Sequence, residues 1–398
     1  MNKIGICMLT GAFYPEISGG GIQAWTLINA LNTKINFYVI TTSHDFSLPR
    51  RECIGNVNLY RVIIRPNHIF SKVQSLIWFL RVFLKIRKRI NILHFHGFSQ
   101  KNIIFIILAK IFKKKIMQKI TSFGDDDPVS IQNKRFGRLR LFFFSKADIF
   151  ISVSPAISRR FLQSGIADKK LFTIANGVDT KRFIPLSNPV EKKTLRRKLQ
   201  LPEENKIIIF VGFLYLDKGA DLLITAWKRI RAEQNNNVSI VLIGSTNTTY
   251  FQTHTNLFDK LLKEIEEFRM GNEIIFIEKT LEIEKYYQAS DIFILPSRRE
   301  GLPNALLEAM SSGLACIATR LTGITDYVIE DNKDGLLFEK NNMEELAAKL
   351  KKLLNNEKFI NELGHNAREK IKKEFSIEKI AGEYLHLYKC LDNDKGCP

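Results

Sequence analysis

Short apolar runs alternate with longer amphipathic segments along the whole chain. In the first half, runs rich in Ile, Val and Phe predict strands at residues 4–10, 35–42, 92–96, 116–121 and 149–153. The pattern restarts after a polar stretch at residues 186–204, with strands predicted at residues 207–212, 238–244, 274–277, 292–295 and 315–319. Helix-like segments separate most of these runs, and a final one covers residues 377–391. Such alternation predicts a parallel, doubly wound sheet in each half.

The length of the chain fits this division, because 398 residues are enough for two domains of ordinary size. The pattern predicts one Rossmann-like domain at residues 1–186 and a second at residues 187–375, followed by a terminal helical segment at residues 376–398. Ligands of such sheets bind at the carboxyl ends of the strands, often against helix N-termini. We therefore expect an α/β protein whose two doubly wound domains face a central cleft.

Positive charge is concentrated in the first domain. Residues 1–187 hold 29 Lys and Arg against 9 Asp and Glu, whereas residues 188–398 hold 31 against 32. Basic and apolar residues interleave at residues 76–90, 109–117 and 135–144, as they do in segments that lie on an anionic leaflet. Core helices with basic solvent faces are the alternative for these stretches. The partner of this domain would be an anionic membrane surface, a phosphorylated acceptor or nucleic acid.

Cysteine content and hydropathy bear on where the protein acts. Five cysteines, an odd number without a Cys-x-x-Cys pair, argue against a disulfide framework or a zinc site and favour a reducing compartment. No stretch reaches about 18 uncharged apolar residues, so a spanning helix is not expected. The sequence therefore predicts a cytoplasmic protein, which the basic domain could bring to the inner face of the cytoplasmic membrane.

The most specific chemistry lies in PSRREGLPNALLEAMSSGLACIAT, residues 296–319. This segment reads as strand, turn, helix and strand, with Glu300 in the loop before the helix and Glu308 on the helix. Pro303 suits the first helical turn, where its missing N–H costs nothing. The N–H groups of residues 301–304 could then hold a diphosphate, while one carboxylate takes sugar hydroxyls and the other takes ribose hydroxyls. Two glutamates considered alone would more often be surface charges.

The surroundings of Glu300 and Glu308 resemble the donor-binding signature of the retaining glycosyltransferases of family 4, in which seven residues separate the two glutamates. The resemblance implies the GT-B fold and a hexosyltransferase that uses a nucleotide-sugar, most often a UDP-sugar, without a metal cofactor. It also implies a lipid-linked or polysaccharide acceptor in cell-surface glycan biosynthesis. The terminal segment, with Tyr384 and Tyr388, resembles the family helix that crosses back onto the N-terminal domain.

Three further segments carry the same resemblance. Gly21, which follows Gly19 and Gly20, stands where a family glycine packs against the donor phosphates, and a glycine permits such a close approach. His96, in Leu-His-Phe-His-Gly, stands where a family histidine approaches the donor sugar. Lys218, before Gly219, would neutralise the diphosphate leaving group. Each of these short motifs, taken alone, is more often an ordinary turn or a structural group.

The resemblance therefore implies catalytic roles for His96, Lys218 and Glu300. It implies a larger donor-binding set, which consists of Gly20, Gly21, Phe276, Gly301, Leu302, Pro303, Asn304 and Glu308. One position departs from the family: Phe213 stands where the family usually has an arginine after the glycine. The residue that supplies the corresponding phosphate contact is left open by the sequence.

Asp125, Asp126 and Asp127 formally match the Asp-x-Asp motif with which another glycosyltransferase fold binds a divalent metal. Three aspartates before Pro128 also make a good turn, and we favour a solvated loop on the acceptor side over a metal site. Two other functions stay open at this point. One is a sugar-nucleotide epimerase of the same fold, and the other is a basic nucleic-acid-binding protein, although no RNP, KH or zinc-finger motif is present. A Rossmann dehydrogenase is disfavoured, because no GxGxxG motif opens a helix after the first strand.

Overall fold

The computed structural model describes residues 3–16, 18–64, 69–186, 188–233, 237–245 and 256–393. The chain forms two compact units. The first unit comprises Met1–Gly177 and Ile377–Pro398, and the second comprises Val178–Ser376. The first unit thus ends before the predicted boundary at residue 186, and the terminal segment belongs to it. Cys397, one of the five cysteines, lies outside the described residues.

Within the described residues, each unit contains one sheet. The strands of the first unit are β1 (Gly5–Thr10), β2 (Asn36–Ser43), β3 (Arg51–Ile54), β4 (Val57–Ile63), β5 (Ile92–His96), β6 (Lys115–Ile120), β7 (Ile149–Ser152) and β8 (Leu171–Thr173). Those of the second unit are β9 (Lys206–Val211), β10 (Val238–Ile243), β11 (Ile274–Ile277), β12 (Ile292–Leu295), β13 (Ala315–Thr319) and β14 (Leu336–Phe338). All ten predicted strands are present, and each of their ends lies within one residue of the predicted position.

The helices connect these strands as expected for doubly wound units. In chain order, the α-helices before the second sheet are α1 (Gly19–Leu31), α2 (Ile69–Ile86), α3 (Gln100–Ile111), α4 (Pro128–Gln132), α5 (Gly137–Phe144), α6 (Pro155–Gln163) and α7 (Pro189–Lys198). The remaining ones are α8 (Ala220–Ile230), α9 (Asn256–Glu267), α10 (Ile283–Ala289), α11 (Asn304–Ser311), α12 (Met343–Leu354), α13 (Glu357–Glu374) and α14 (Ile377–Asp392).

Both sheets have the strand order of an open, doubly wound fold. The first runs β3-β4-β2-β1-β5-β6-β7-β8 and the second β11-β10-β9-β12-β13-β14. Every pairing is parallel except that of β3 with β4. The central strands are buried on both faces, which explains why they appear in the sequence as continuous apolar runs. The two sheets confirm the prediction of paired doubly wound domains.

Four strands escaped the sequence analysis, and the hairpin of β3 and β4 is the clearest case. Gly55, with φ of +57°, lies in the tight turn that joins the two strands, so that Ile54 pairs with Val57. Gly-Asn between β-prone residues is a recognised hairpin signal. The strands on either side were not predicted, because Arg51, Glu52 and Arg61 interrupt their apolar pattern. Arg61 is fully buried, and Glu52 pairs with it at 2.6 Å.

The terminal helix α14 packs on the first unit. Tyr384 and Tyr388 are buried, and the hydroxyl of Tyr388 lies 2.7 Å from Nδ1 of His94 on β5. Gly177, at the end of the first unit's main segment, exchanges two hydrogen bonds with the amide of Gln23 on α1. The contact of Tyr388 with His94 joins the two separate chain segments of the first unit, whereas the bonds of Gly177 fix the end of the longer segment to α1.

Candidate active site

Two loops of the second unit meet at the carboxyl ends of β9 and β12. Gly219 has φ of +73°, and a Cβ at this position would lie 2.0 Å from the carbonyl oxygen of Pro296. The amide of Arg298 donates to the carbonyl oxygen of Asp217 at 2.7 Å. A side chain other than hydrogen would push these loops apart, so the glycine after Lys218 is required by packing.

Three ion pairs join the loop after β12 to the loop after β9 and the start of α8. They are Lys218 with Glu300 at 2.6 Å, Arg298 with Asp221 at 2.6 Å and Arg299 with Asp217 at 2.9 Å. The first pair is the most enclosed, since the side chain of Glu300 is 8% exposed and that of Lys218 is 21% exposed. The structure therefore brings two of the three predicted catalytic residues into direct contact.

Lys218 keeps its charge despite its enclosure. Burial alone would lower the pKa of its ammonium group, but the negative charge and hydrogen bond of Glu300, with further contributions from Tyr215 and Asp217, outweigh this effect. The net result is a pKa raised above the ordinary lysine value. A fixed cation that already lies beside a carboxylate can stabilise a leaving group that acquires negative charge.

Glu308 projects from α11, and its carboxylate accepts a hydrogen bond from the hydroxyl of Tyr287 at 3.2 Å. Burial of the carboxyl group raises its pKa to about 7, although the Tyr287 hydrogen bond opposes this shift. Tyr287 itself is fully buried and reaches Glu308 from α10. The sequence analysis missed Tyr287, because nothing in its local pattern marks it as a partner of a residue on the next helix.

The segment between the two glutamates forms the start of α11. Pro303 is the residue that caps this helix, with extended backbone, and Asn304 is the first helical residue. Pro303 was predicted one position further into the helix, within the usual uncertainty of helix ends. Gly301, Leu302 and Pro303 are buried, whereas Asn304 is half-buried.

Phe276 is also part of the second unit, on β11. Its ring meets that of Phe258 edge to face, with centroids 5.4 Å apart, and packs against the hydrophobic core. Phe213 lies after β9 and stacks on Tyr215, with centroids 6.1 Å apart. The aromatic ring at position 213 thus stands at the loop that carries Lys218.

The predicted glycine loop of the first unit is the first turn of α1. The N–H of Gly21 donates to the side chain of Ser18 at 3.0 Å, which caps the helix. A Cβ on Gly21 would lie 2.3 Å from the carbonyl oxygen of Ala12, whereas a Cβ on Gly20 would meet nothing within 4 Å. Packing of α1 against the loop after β1 therefore explains the need for glycine at position 21.

His96 ends β5 and is 8% exposed. Its ring lies against that of His94, with centroids 4.4 Å apart, and neither ring nitrogen of His96 has a hydrogen-bond partner in the described part of the chain. Burial lowers the pKa of His96 well below the ordinary value, and the neighbouring His94 and Lys119 lower it further. The imidazole is therefore neutral at physiological pH.

Lys119 is a neighbour of His96 that the sequence analysis did not identify. The two residues are partners across β5 and β6, so their side chains share one face of the sheet. Lys119 is 2% exposed and lies 5.5 Å from the ring of Tyr384 on α14. Aligning the predicted ends of β5 and β6 would have revealed it, since parallel neighbours end at the same edge.

The Asp triplet has structural partners. Asp127 caps α4 by accepting from the amide of Ser130, and it pairs with Arg160 at 3.0 Å. Asp125 pairs with Lys134 at 2.9 Å. Across the described ranges no group of three His, Cys, Asp or Glu side chains is arranged to hold a metal ion. The contacts of Asp125 and Asp127 are those expected of a turn that leads into a helix.

Comparisons with known proteins agree with this arrangement. Residues 17–182 match the model of Glycosyltransferase Family 4, and residues 191–370 match that of Glycosyl transferases group 1. A capsular polysaccharide biosynthesis glycosyltransferase of Staphylococcus aureus, CapM, is 26% identical over 71% of this chain and 76% of its own length.

Two further proteins extend the comparison. A UDP-Gal:alpha-D-GlcNAc-diphosphoundecaprenol alpha-1,3-galactosyltransferase of Escherichia coli is 32% identical over 55% of this chain and 54% of its own. Among solved structures, Anabaena HepE in complex with UDP-glucose superposes with a TM-score of 0.77 at 16% identity, over 97% of this chain and 99% of that one. At this identity the superposition establishes the fold.

Proposed function

This chain belongs to glycosyltransferase family 4, the glycosyl transferases of group 1 with the GT-B fold, and we propose on this premise that it is a retaining hexosyltransferase with a UDP-sugar donor. As a member of this family it is a transferase of glycan biosynthesis. The proposed acceptor is a lipid-linked or polysaccharide glycan of the cell surface. The observation that carries the proposal is the enclosed pair of Lys218 and Glu300, beside the helix that bears Glu308.

The donor is assigned to the second unit. Lys218 would take the diphosphate with the start of α11, Glu300 would take sugar hydroxyls, and Glu308 would take the ribose. UDP is supported by two relatives, since HepE was solved with UDP-glucose and the Escherichia coli enzyme is named for UDP-Gal. His96 and Gly21, with their family roles at the sugar and the phosphates, stay predictions.

The proposed reaction proceeds on one face of the sugar. The bond between the anomeric carbon and the diphosphate oxygen breaks, and the acceptor oxygen forms a bond to the same carbon from the same side. The acceptor's proton passes to the leaving phosphate oxygen, so atoms and charge balance. Lys218 offsets the charge that develops on that oxygen, and the pairing of Lys218 with Glu300 fixes its position before the donor arrives.

We expect no requirement for a divalent metal, because Lys218 and the start of α11 can meet the diphosphate charge. This expectation has a direct test. Transfer or hydrolysis should persist after dialysis against EDTA and should not rise when Mg²⁺ or Mn²⁺ is restored. Loss of turnover that only a metal restores would contradict it.

Binding to an anionic membrane surface is a second part of the proposal. Among the described residues no helix is long and apolar enough to cross a bilayer. Phe136, Leu139 and Phe142 are 65%, 55% and 53% exposed and lie three residues apart around α5, among several basic side chains. Such a face suits a peripheral contact. The stretch at 109–117 does not form an interfacial helix, because Ile116 and Met117 are buried in β6.

The donor proposal is tested with a panel of UDP- and GDP-sugars. We expect one UDP-sugar to raise the thermal unfolding temperature and to be hydrolysed slowly without acceptor. A nuclear magnetic resonance spectrum of the first transfer product would report whether the anomeric configuration is retained. Isomerisation of the sugar-nucleotide without transfer would instead identify an epimerase.

The membrane proposal is tested by co-sedimentation with vesicles. Phosphatidylglycerol vesicles should bind the protein more strongly than phosphatidylcholine vesicles, and Phe142→Ser should weaken that binding. Val190→Ser, at an apolar position that is 70% exposed on the second unit, is the matched control. Equal binding to both kinds of vesicle would remove this part of the proposal.

A further inference from the structure

A cavity of about 200 Å³ lies in the first unit, at the carboxyl ends of β5 and β6. Its walls include Phe98, Ser99, Asp125, Asp126, Lys134 and Arg140. None of these side chains belongs to the proposed donor site. Doubly wound sheets bind ligands at the carboxyl ends of their parallel strands, and the cavity lies at such a place.

Among the residues that line this cavity, Asp126 is the one buried residue with a charged side chain. The side chain is 8% exposed, and one carboxylate oxygen accepts from the amide of Ser122 at 2.9 Å. The other oxygen faces Gly97, where a Cβ would lie 3.0 Å from it. Since Gly97 follows His96 directly, the carboxyl group stands beside the end of β5.

The position of this wall is fixed by hydrogen bonds. The carbonyl oxygen of Gly97 accepts from the side chains of Gln118 and Asn102, at 2.9 and 3.1 Å. The amide of Gly97 donates to the carbonyl oxygen of Lys119 at 2.9 Å. The cavity is therefore a preformed feature of the sheet edge, which lowers the entropic cost of binding.

The charges around the cavity are paired unevenly. Asp125 pairs with Lys134 and Asp127 with Arg160, so these two carboxylates are satisfied. Within the described part of the chain, Asp126 has no cationic partner and Arg140 has no carboxylate partner. A carboxyl and a guanidinium that both lack an ionic partner therefore line the same cavity, and a ligand bound there can supply a partner to each.

Burial raises the pKa of Asp126 to about 7, against the hydrogen bond from Ser122, and the charges of Asp125 and Asp127 add to the rise. A carboxyl group in this range can accept a hydrogen bond from a ligand hydroxyl or donate one to a ligand oxygen. Phe98, whose ring meets Phe144 edge to face at 5.1 Å, offers an apolar wall beside it. A ligand that fits this cavity would offer hydroxyls to Asp126, an apolar ring face to Phe98 and a negative group to Arg140. A phosphorylated sugar has all three features.

We propose that this cavity binds the acceptor through a sugar that carries a phosphate, with Asp126 at a sugar hydroxyl and Arg140 at the phosphate. The proposal rests on the proposed glycosyltransferase function and specifies the acceptor side of that reaction. The phosphate could belong to a free sugar phosphate or to a diphosphate that links the sugar to a lipid. Both present the same chemistry to Arg140.

The test is direct binding by the full chain, measured by calorimetry. The probes are glucose, galactose and N-acetylglucosamine 1-phosphates and the matching methyl glycosides, each with and without saturating UDP. At least one sugar phosphate should bind in the presence of UDP, and its affinity should fall at least fivefold in Arg140→Gln. Arg138→Gln, which removes an exposed charge from the same helix, should change it less than twofold.

A second variant separates the hydroxyl contact from the phosphate contact. Asp126→Leu should weaken the sugar phosphate and the methyl glycoside alike, whereas Arg140→Gln should weaken only the former. Thermal unfolding checks that Asp126→Leu folds, and Arg140→Gln carries the test if it does not. Equal affinity of wild type and Arg140→Gln for every sugar phosphate, or binding that saturating UDP abolishes, would overturn the proposal.

The same measurements distinguish a failure of the cavity proposal from a failure of the proposed function. Normal UDP binding with no effect of Arg140→Gln overturns the cavity assignment alone, whereas sugar-phosphate binding without any nucleotide binding overturns the donor assignment alone. A synthetic short-chain polyprenyl diphosphate sugar then identifies the source of the phosphate. Tighter binding than the free sugar phosphate, lost in Arg140→Gln, supports the lipid-linked form, and equal binding supports the free form.

Discussion

Each unit carries a cluster of polar residues at the carboxyl ends of two neighbouring central strands, but only one of the two clusters is ion-paired. In the second unit, Lys218 and Glu300 form an enclosed ion pair at the carboxyl ends of β9 and β12. In the first unit, His94, His96 and Lys119 lie together at the ends of β5 and β6 without a paired carboxylate among the described residues. The same sheet architecture thus supports one cluster with a paired anion and one cluster without an anion.

This difference follows from what surrounds each cluster. In the second unit, three acidic and three basic side chains of these loops and the start of α8 form ion pairs, so charge can be kept in a partly enclosed place. The first cluster is covered by Tyr384 and Tyr388 of α14, which provide hydroxyls and ring faces. Burial without an anion lowers the pKa of Lys119 to about 7. A charged partner of the diphosphate is therefore expected only in the second unit.

The largest effect that this comparison predicts is on turnover. Glu300→Gln keeps the shape of the side chain but removes the charge that fixes Lys218. Loss of a preorganised electrostatic contact typically lowers kcat by about 10²-fold to 10³-fold. We expect a decrease of this order, measured as hydrolysis or transfer of the UDP-sugar that the panel identifies.

The control for this prediction is an exposed ion pair of the same unit. Glu204, whose side chain is 76% exposed, pairs with Lys193, and Glu204→Gln makes the same chemical change there. Its turnover should stay within about twofold of wild type, because exposed pairs contribute little. If Glu300→Gln kept wild-type turnover, the central role of the enclosed pair would be wrong.

The second effect concerns stability, and removing the lysine should destabilise only the second unit. Lys218→Met leaves the carboxylate of Glu300 enclosed without its partner, which should lower the free energy of unfolding by about 1–3 kcal/mol at pH 7. Lys119→Met removes a buried amine without an ionic partner and should be neutral or stabilising. Urea unfolding of both variants measures the contrast.

Lys169→Met, at an exposed lysine of the first unit, provides the baseline for that experiment. Equal destabilisation by Lys218→Met and Lys119→Met would show that both lysines depend on partners of the same strength. The distinction between a paired and an unpaired cluster would then fail.

The third effect is the pH dependence of Lys119. Burial lowers its pKa from the ordinary value of 10.5 to about 7, so the unfolded chain binds more protons than the folded chain between these values. Stability then rises with pH from about 7 to 10.5, by up to a few kcal/mol. The difference in unfolding free energy between wild type and Lys119→Met should rise across this window, as measured by urea unfolding at a series of pH values. A flat difference would show that the amine is not desolvated.

Much of this molecule could be predicted from the sequence, and the limits have physical causes. Buried parallel strands such as β5 and β12 are continuous apolar runs, and both were predicted with their observed ends. Lys218 and Glu300 were identified separately, but their contact depends on Gly219 packing against Pro296, which only the fold reveals.

Pairs between distant segments were the least accessible to sequence reasoning. The contact of His94 with Tyr388 joins residues that are nearly three hundred positions apart, and Lys119 becomes notable only when β6 is aligned beside β5. Asp126 was interpreted as part of a turn because its neighbours are turn residues, and its burial follows from the path of Gly97. Such information is absent from local patterns.

The smallest effect we expect is on donor affinity, and it concerns Glu308. Its pKa of about 7 means that the carboxylate forms only as the pH rises through neutrality. A carboxylate accepts ribose hydroxyls at both oxygens, whereas the protonated form uses one of them to donate. The affinity for UDP should therefore rise severalfold between pH 6 and pH 8, as measured by calorimetry.

Glu308→Gln tests the origin of that slope, because an amide does not titrate. The variant should bind UDP weakly and with little change from pH 6 to pH 8, while Glu204→Gln should retain the wild-type slope. The opposite linkage should act on folding: since the folded state holds the proton more tightly, the Glu308 contribution to stability is present below pH 4.5 and is lost as the pH rises to about 7. The donor would thus bind best in the pH range in which Glu308 contributes least to the folding stability of the protein without donor. If Glu308→Gln kept the wild-type dependence of UDP affinity on pH, the titrating group would be a residue other than Glu308. The donor assignment would then rest on the enclosed pair of Lys218 and Glu300 alone.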